Sequence, residues 1–135
     1  MKNTIGMFKL FSDELRLRIL MLLDKQELSV CQIMGITGAS QPLVSRNLSL
    51  LYRAGLLDER REGKLRFYSI SEGLSDEKTE VINLLRKLLE SDKRFKEDLD
   101  TLAECEEFQR KAGRCDMKTL TDFMTLKKKG KKGKK

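Results

Sequence analysis

Residues 40–51 read SQPLVSRNLSLL, and their spacing predicts a helix with two unlike faces. Val44, Leu48 and Leu51 recur at i, i+4, i+7 and would face a core, while Gln41, Ser45, Arg46, Ser49 and Arg53 project from the opposite side. Ser40 is placed to cap the first turn through its hydroxyl, and Pro42 falls near the helix start, where a missing N–H costs little. Immediately upstream, residues 35–39 (GITGA) supply a turn that ends a preceding helix over residues 29–37, packed through Val30, Ile33 and Met34. Two helices joined at glycine, the second with a polar and basic outer face, form a helix-turn-helix pattern suited to lying on DNA.

Working outward, residues 13–23 (DELRLRILMLL) predict a core helix with Ser12 as its cap and acids in its first turn. Residues 5–11 give a shorter apolar helix before it. After the central helix, Gly55 is placed as a helix stop, and strands are expected over residues 57–61 and 65–70, either side of Glu62, Gly63 and Lys64. Arg60, Arg61, Lys64 and Arg66 cluster at the tip of that hairpin. A hairpin with a basic end directly after a helix-turn-helix is a wing, so the fold class is mainly α with a small β-hairpin, and residues 1–74 form a winged helix-turn-helix region.

From residue 75 the pattern changes to long helices rich in paired charges, expected over about 75–90 and 92–110 because Ser91 and Asp92 are good capping residues. Val81, Leu85, Leu88, Phe95, Leu99 and Leu102 follow alternating spacings of four and three, a coiled-coil-like seam broken only at Asp92. Ile82 and Leu89 add a second stripe. An apolar arc that wide calls for two neighbours, its own domain and a partner subunit, so residues 75–126 read as dimerisation and sensing helices. Residues 127–135 (KKKGKKGKK) offer nothing to a core and are expected to be a disordered lysine-rich tail.

The net charge of +7 resides wholly in that tail, since residues 1–126 sum to zero. Within them, residues 1–71 carry +4 and residues 72–126 carry −4, so the half expected to meet DNA is the basic one. Seven tail lysines would add salt-dependent affinity for phosphates without sequence preference. Histidine is absent, which removes His-dependent catalysis and the commonest zinc ligand. A small thiol enzyme is poorly supported, because there is neither a Cys-x-x-Cys nor a βαβ pattern. No apolar run is long enough to span a membrane and no signal-peptide core is present, so a cytoplasmic protein is expected.

Taken together and in this order, SDELRLRILMLL, ELSVCQI, SQPLVSRNLSLLYRAGLL and RREGKLRFYSI resemble the ArsR family of winged-helix repressors, over residues 12–71. The resemblance implies a homodimer that represses its own operon until a soft metal or metalloid binds. It also implies that Ser40, Gln41, Ser45, Arg46 and Asn47 contact operator DNA, with Arg60, Arg61 and Lys64 on the wing. The side-chain chemistry agrees, since Gln and Asn can bond an adenine edge in two places and Arg a guanine edge.

Three cysteines, Cys31, Cys105 and Cys115, are too few and too odd for a disulfide framework. The arsenic-sensing members carry Cys-x-Cys at the start of the third helix, whereas here Ser29 stands where the first cysteine would be. Three thiols nonetheless match the number that trivalent arsenic or antimony takes, which makes Cys105, Cys115 and Cys31 the candidate ligands and such an ion the expected inducer, with no other cofactor required. In an unbroken helix Cys105 and Cys115 would stand about 15 Å apart, so a turn at Gly113 or a second subunit must bring them together. The charged surroundings of Cys105 and Cys115 suggest exposure, while Cys31 beside Val30 is equally readable as a small core residue. The alternative switch is a Cys105/Cys115 disulfide in a redox-responsive repressor.

Overall fold

A computed structural model describes residues 1–112 together with 123, 125 and 126. The expected tail, Cys115 and Gly113 lie outside the described residues. The chain order is α1 (Lys2–Leu10), α2 (Glu14–Lys25), β1 (Leu28–Ser29), α3 (Val30–Thr37), α4 (Gln41–Arg53), β2 (Leu57–Glu62), β3 (Leu65–Ile70), α5 (Asp76–Leu89) and α6 (Lys93–Ala112). The three strands make one antiparallel sheet in the order β1-β3-β2.

The core forms where α2, α3 and α4 meet. Ile19, Leu20 and Leu22 of α2, Ile33 of α3, and Val44, Leu48 and Leu51 of α4 are all fully enclosed. Their burial, at about 25 cal/mol per Å² of apolar surface, is the main force holding the three helices together. Local chemistry sets the boundaries. Asp13, not Ser12, caps α2, its carboxylate accepting from the Arg16 amide at 2.9 Å, while the Ser12 hydroxyl donates back to Phe8 O at the end of α1. Ser29 and Gln32 form a reciprocal capping box on α3. The helix runs through Gly35 and stops at Gly38, whose φ of +75° is the left-handed conformation that glycine adopts without strain. Ser40 sits at the N-cap of α4 but makes no capping hydrogen bond with its side chain.

Beyond the hairpin, α5 and α6 are separate helices, as the capping residues at 91 and 92 indicated; Asp92 Oδ1 accepts from the Phe95 amide at 3.1 Å. The seam expected through Leu85 and Leu88 divides. Ile82 is buried, with Leu85 and Leu89 packed partly against the core, whereas Leu84 and Leu88 are 54% and 66% exposed. Helix α6 returns across α2 and α3. Leu102 and Cys105 are buried there, and Asp98 receives two 2.9 Å hydrogen bonds from Arg18 of α2. Phe108 of α6 meets the buried Phe123 ring at a centroid distance of 5.6 Å.

Candidate nucleic-acid interface

Ridge packing of Val44, Leu48 and Leu51 fixes which side of α4 faces out. Ser40, Gln41, Ser45 and Arg46 are exposed on that side, and Ser49 and Tyr52 continue it toward the hairpin. Between α4 and the hairpin lies a cleft of about 680 Å³, with Gln41, Ser45 and Ser49 on one wall and Lys64, Arg66 and Tyr68 on the other. Hydroxyls, an amide and two cations facing one another are donors for phosphate oxygens and base edges. This juxtaposition of helix and wing brings together the sequence-derived candidates Gln41, Ser45 and Lys64. Arg66 and Tyr52 extend the set.

Strand register separates Arg60 from Arg61. Arg61 pairs with Arg66 and Glu59 with Tyr68, so these four share the sheet face toward the cleft, while Arg60 pairs with Phe67 on the reverse face. There the Arg60 guanidinium lies 4.5 Å from the Phe67 ring centroid and is bound by Glu27 at 2.7 Å and Glu62 at 2.8 Å. Those carboxylates raise the Arg60 pKa above its usual value, and Arg60 in turn lowers that of Glu27. Arg60 thus braces the reverse face of the wing against Glu27, while Lys64 and Arg66 line the cleft and Arg61, on the same sheet face, lies 3.5 Å from the Glu59 carboxylate.

Asn47 also differs from its expected place. It is 4% exposed, its amide nitrogen donates to Leu43 O at 3.0 Å, and its Oδ1 accepts from Arg16 Nη1 at 3.0 Å. With both ends of the amide engaged inside the protein, Asn47 lies off the exposed face of α4 that carries Gln41, Ser45 and Arg46. The spacing already carried this signal, since positions 44, 47, 48 and 51 are the i, i+3, i+4, i+7 stripe of a packed face.

The cysteines are distributed over two elements. Cys31 is partly buried on α3 and lines the cleft, and Cys105 is 2% exposed on the inner face of α6, contrary to the exposure its charged neighbours suggested. The reason is periodicity: Asp98, Leu102 and Cys105 lie at i, i+4, i+7 and turn inward together, while Glu104 and Glu107 turn out. Among the described residues no group of three or more Cys, Asp or Glu side chains is arranged to hold a metal ion.

Tyr68 closes the floor of the cleft. Its hydroxyl donates to Glu59 Oε2 at 3.0 Å, and burial first, then that carboxylate, push its pKa above the usual 10. The neutral phenol is thus favoured in the folded state, so its contribution to stability is complete below pH 10 and is lost as pH rises through the folded value. In a Tyr52→Phe variant, where Tyr68 is the remaining tyrosine, phenolate absorbance should rise with a midpoint above 10 and the unfolding free energy should fall over the same range. A midpoint at or below 10 would contradict the burial seen here.

The fold and the cleft define a winged helix-turn-helix protein. The model for "Bacterial regulatory protein, arsR family" matches residues 13–59, and the chain belongs to that family. It is 44% identical over 68 residues to the arsenical resistance operon repressor of Escherichia coli, a match covering 50% of this chain and 58% of that protein. It is 37% identical over 86 residues to the transcriptional activator HlyU of Vibrio cholerae, covering 64% of this chain and 77% of that one. The solved structure of reduced HlyU superposes with a TM-score of 0.56 at 34% identity, covering 64% of this chain and 88% of that one. A homodimeric winged helix-turn-helix DNA-binding domain from Mycobacterium bovis, solved in solution as fragment 1–100, gives a TM-score of 0.56 at 27% identity, covering 68% of this chain and 82% of that one. The chain thus spans little more than half the length of the arsenical repressor it matches. Among the described residues no helix is long and apolar enough to cross a membrane.

Proposed function

We propose that the chain is a transcriptional repressor that binds operator DNA as a homodimer and releases it when trivalent arsenic or antimony binds its thiolates. One observation carries the DNA-binding part: the cleft bounded by the exposed face of α4 and the cationic face of the wing. In this reading Gln41, Ser45 and Arg46 read base edges in the major groove, Ser40 reaches the backbone, and Arg61, Lys64 and Arg66 hold the flanking phosphates. Two such helices related by a twofold axis would enter successive major grooves roughly 34 Å apart. The homodimeric state of the Mycobacterium bovis domain supports that arrangement.

The sensing part rests on α6. Cys105 lies in the packed seam that α6 makes with the winged domain, and Gln109, one turn further on, accepts from Gln32 of the α3 capping box at 3.2 Å. An ion bound by Cys105 with Cys115 or Cys31 requires that seam to rearrange, which would disturb α3 and, through it, α4. The ion need only prefer the rearranged state by a few kcal/mol to release DNA.

The test is fluorescence anisotropy of the reduced protein on a labelled fragment of its own promoter at fixed salt, with and without arsenite. Arsenite should release the operator, and Cys105→Ser or Cys115→Ser should abolish the response. Arg46→Ala should lose about tenfold or more of operator affinity while binding random DNA nearly as before. Binding that arsenite leaves untouched, but that mild oxidation reverses, would replace the metalloid with a disulfide switch. Equal affinity for operator and random DNA would remove the repressor reading altogether.

A further inference from the structure

Helix α1 buries none of its residues, yet its carboxyl end is fixed to the recognition helix through one side chain. Arg16 of α2 donates from Nε to Leu10 O at 2.8 Å and from Nη2 to Lys9 O at 3.5 Å, both at the end of α1, and from Nη1 to Asn47 Oδ1 at 3.0 Å, halfway along α4. A planar guanidinium, with donors on three nitrogens in a fixed fork, can hold all three acceptors at once. Its charge also suits the negative end of the α1 dipole. Asn47 completes the link by donating to Leu43 O within α4, which fixes its amide in one orientation.

We propose that Arg16 is a positioning residue for operator recognition, trimming through Asn47 the rotation of α4 that its core packing allows, while touching no DNA itself. The proposal rests on the repressor reading above. Its physical content is geometric. Arg46 neighbours Asn47 in sequence, and Gln41 and Ser45 share its helix, so whatever fixes Asn47 fixes where those side chains point. On a helix whose side chains reach about 5–6 Å from the axis, a rotation of roughly 10° carries their tips about 1 Å, enough to break a bidentate base contact. A second cation holds the other end of α4. Lys78 of α5 donates from Nζ to Ala54 O at 2.9 Å, beside Gly55, where an added Cβ would come within 3.1 Å of that nitrogen. The buried Val44, Leu48 and Leu51 set the overall orientation of α4, and within it the Arg16 link at Asn47 trims the rotation while Lys78 holds the carboxyl end.

The experiment uses the full chain with Arg16→Lys, which keeps the charge and loses the fork, Asn47→Ala, and the double variant. Operator and random-DNA affinities are measured across salt concentrations, and amide hydrogen exchange is followed in the free protein. Arg16→Lys should weaken operator binding about tenfold while leaving random-DNA affinity and the salt slope unchanged, because no phosphate contact is lost. Exchange should quicken in α1 and α4 together. The double variant should lose no more than the worse single variant, since both break one link. Operator affinity within twofold of wild type in both single variants, or unchanged exchange in α4, would overturn the proposal. Absence of operator preference in the wild-type protein would instead sink the repressor reading, and the exchange of α4 would still decide whether Arg16 positions it.

Discussion

The Asp98→Ala variant is expected to lose about 3 kcal/mol of unfolding free energy, because it leaves the Arg18 guanidinium without its carboxylate in a mostly buried site. Both Asp98 oxygens accept from Arg18 at 2.9 Å, and the side chains of Arg18 and Asp98 are only 18% and 4% exposed. The hydrogen bond to Asp98 raises the Arg18 pKa above its usual value, and an arginine deprived of that partner still stays charged, so it cannot shed the cost by deprotonating. Partial solvent access to Arg18 places the loss toward the lower end of the range for breaking a buried pair. Replacing both partners by apolar residues, Arg18→Met with Asp98→Leu, should cost far less than Asp98→Ala alone, since no charge is then stranded. Urea unfolding checks both, and a loss below about 1 kcal/mol for Asp98→Ala would show that water reaches the pair freely. The same substitution loosens α6 on α2, so the buried Cys105 thiol should react with a thiol reagent several-fold faster than in the wild-type chain.

That link between α6 and the winged domain was only partly legible in the sequence. Ser91 and Asp92 announced the break between α5 and α6, and Gly63 announced the hairpin, because capping and positive φ are local requirements. The apolar stripe of α4 was legible for the same reason, although the polarity of Asn47 concealed that it belongs to it. Contacts between distant elements left no such trace. Nothing near Asp98 names Arg18, eighty positions earlier, as its partner. Arg60 and Arg61 look equivalent until the register against β3 places them on opposite faces. The two-residue β1 is defined only by its pairing with Tyr68 and Phe67. The inducer is harder still to read, since the family match ends at residue 59 and Cys105 and Cys115 lie well beyond it.

In the homodimer proposed above, replacing Leu88 with glutamate should raise the dissociation constant at least a hundredfold while changing the stability of the isolated fold by no more than about 0.5 kcal/mol. Leu84 and Leu88 stand one turn apart on α5, on the side away from Ile82, and are more than half exposed. Solvent gains nothing from two leucines there, whereas a twofold partner would bury each of them twice, once per subunit. With about 1 kcal/mol from each newly covered Leu88, and a like-charge pair introduced near the axis, the penalty passes 2.7 kcal/mol, which is a hundredfold. Operator affinity should fall with it, because one recognition helix alone cannot span two half-sites. Light scattering across a concentration series gives the dissociation constant, and thermal unfolding of the monomeric variant gives the stability. A Leu88→Glu chain that remains dimeric at low micromolar concentration would place the subunit interface elsewhere. If α5 pairs as expected, the exposed leucines and the Lys78 contact with Ala54 lie on one helix, so the packing of the two subunits bears directly on the end of α4 that faces the wing.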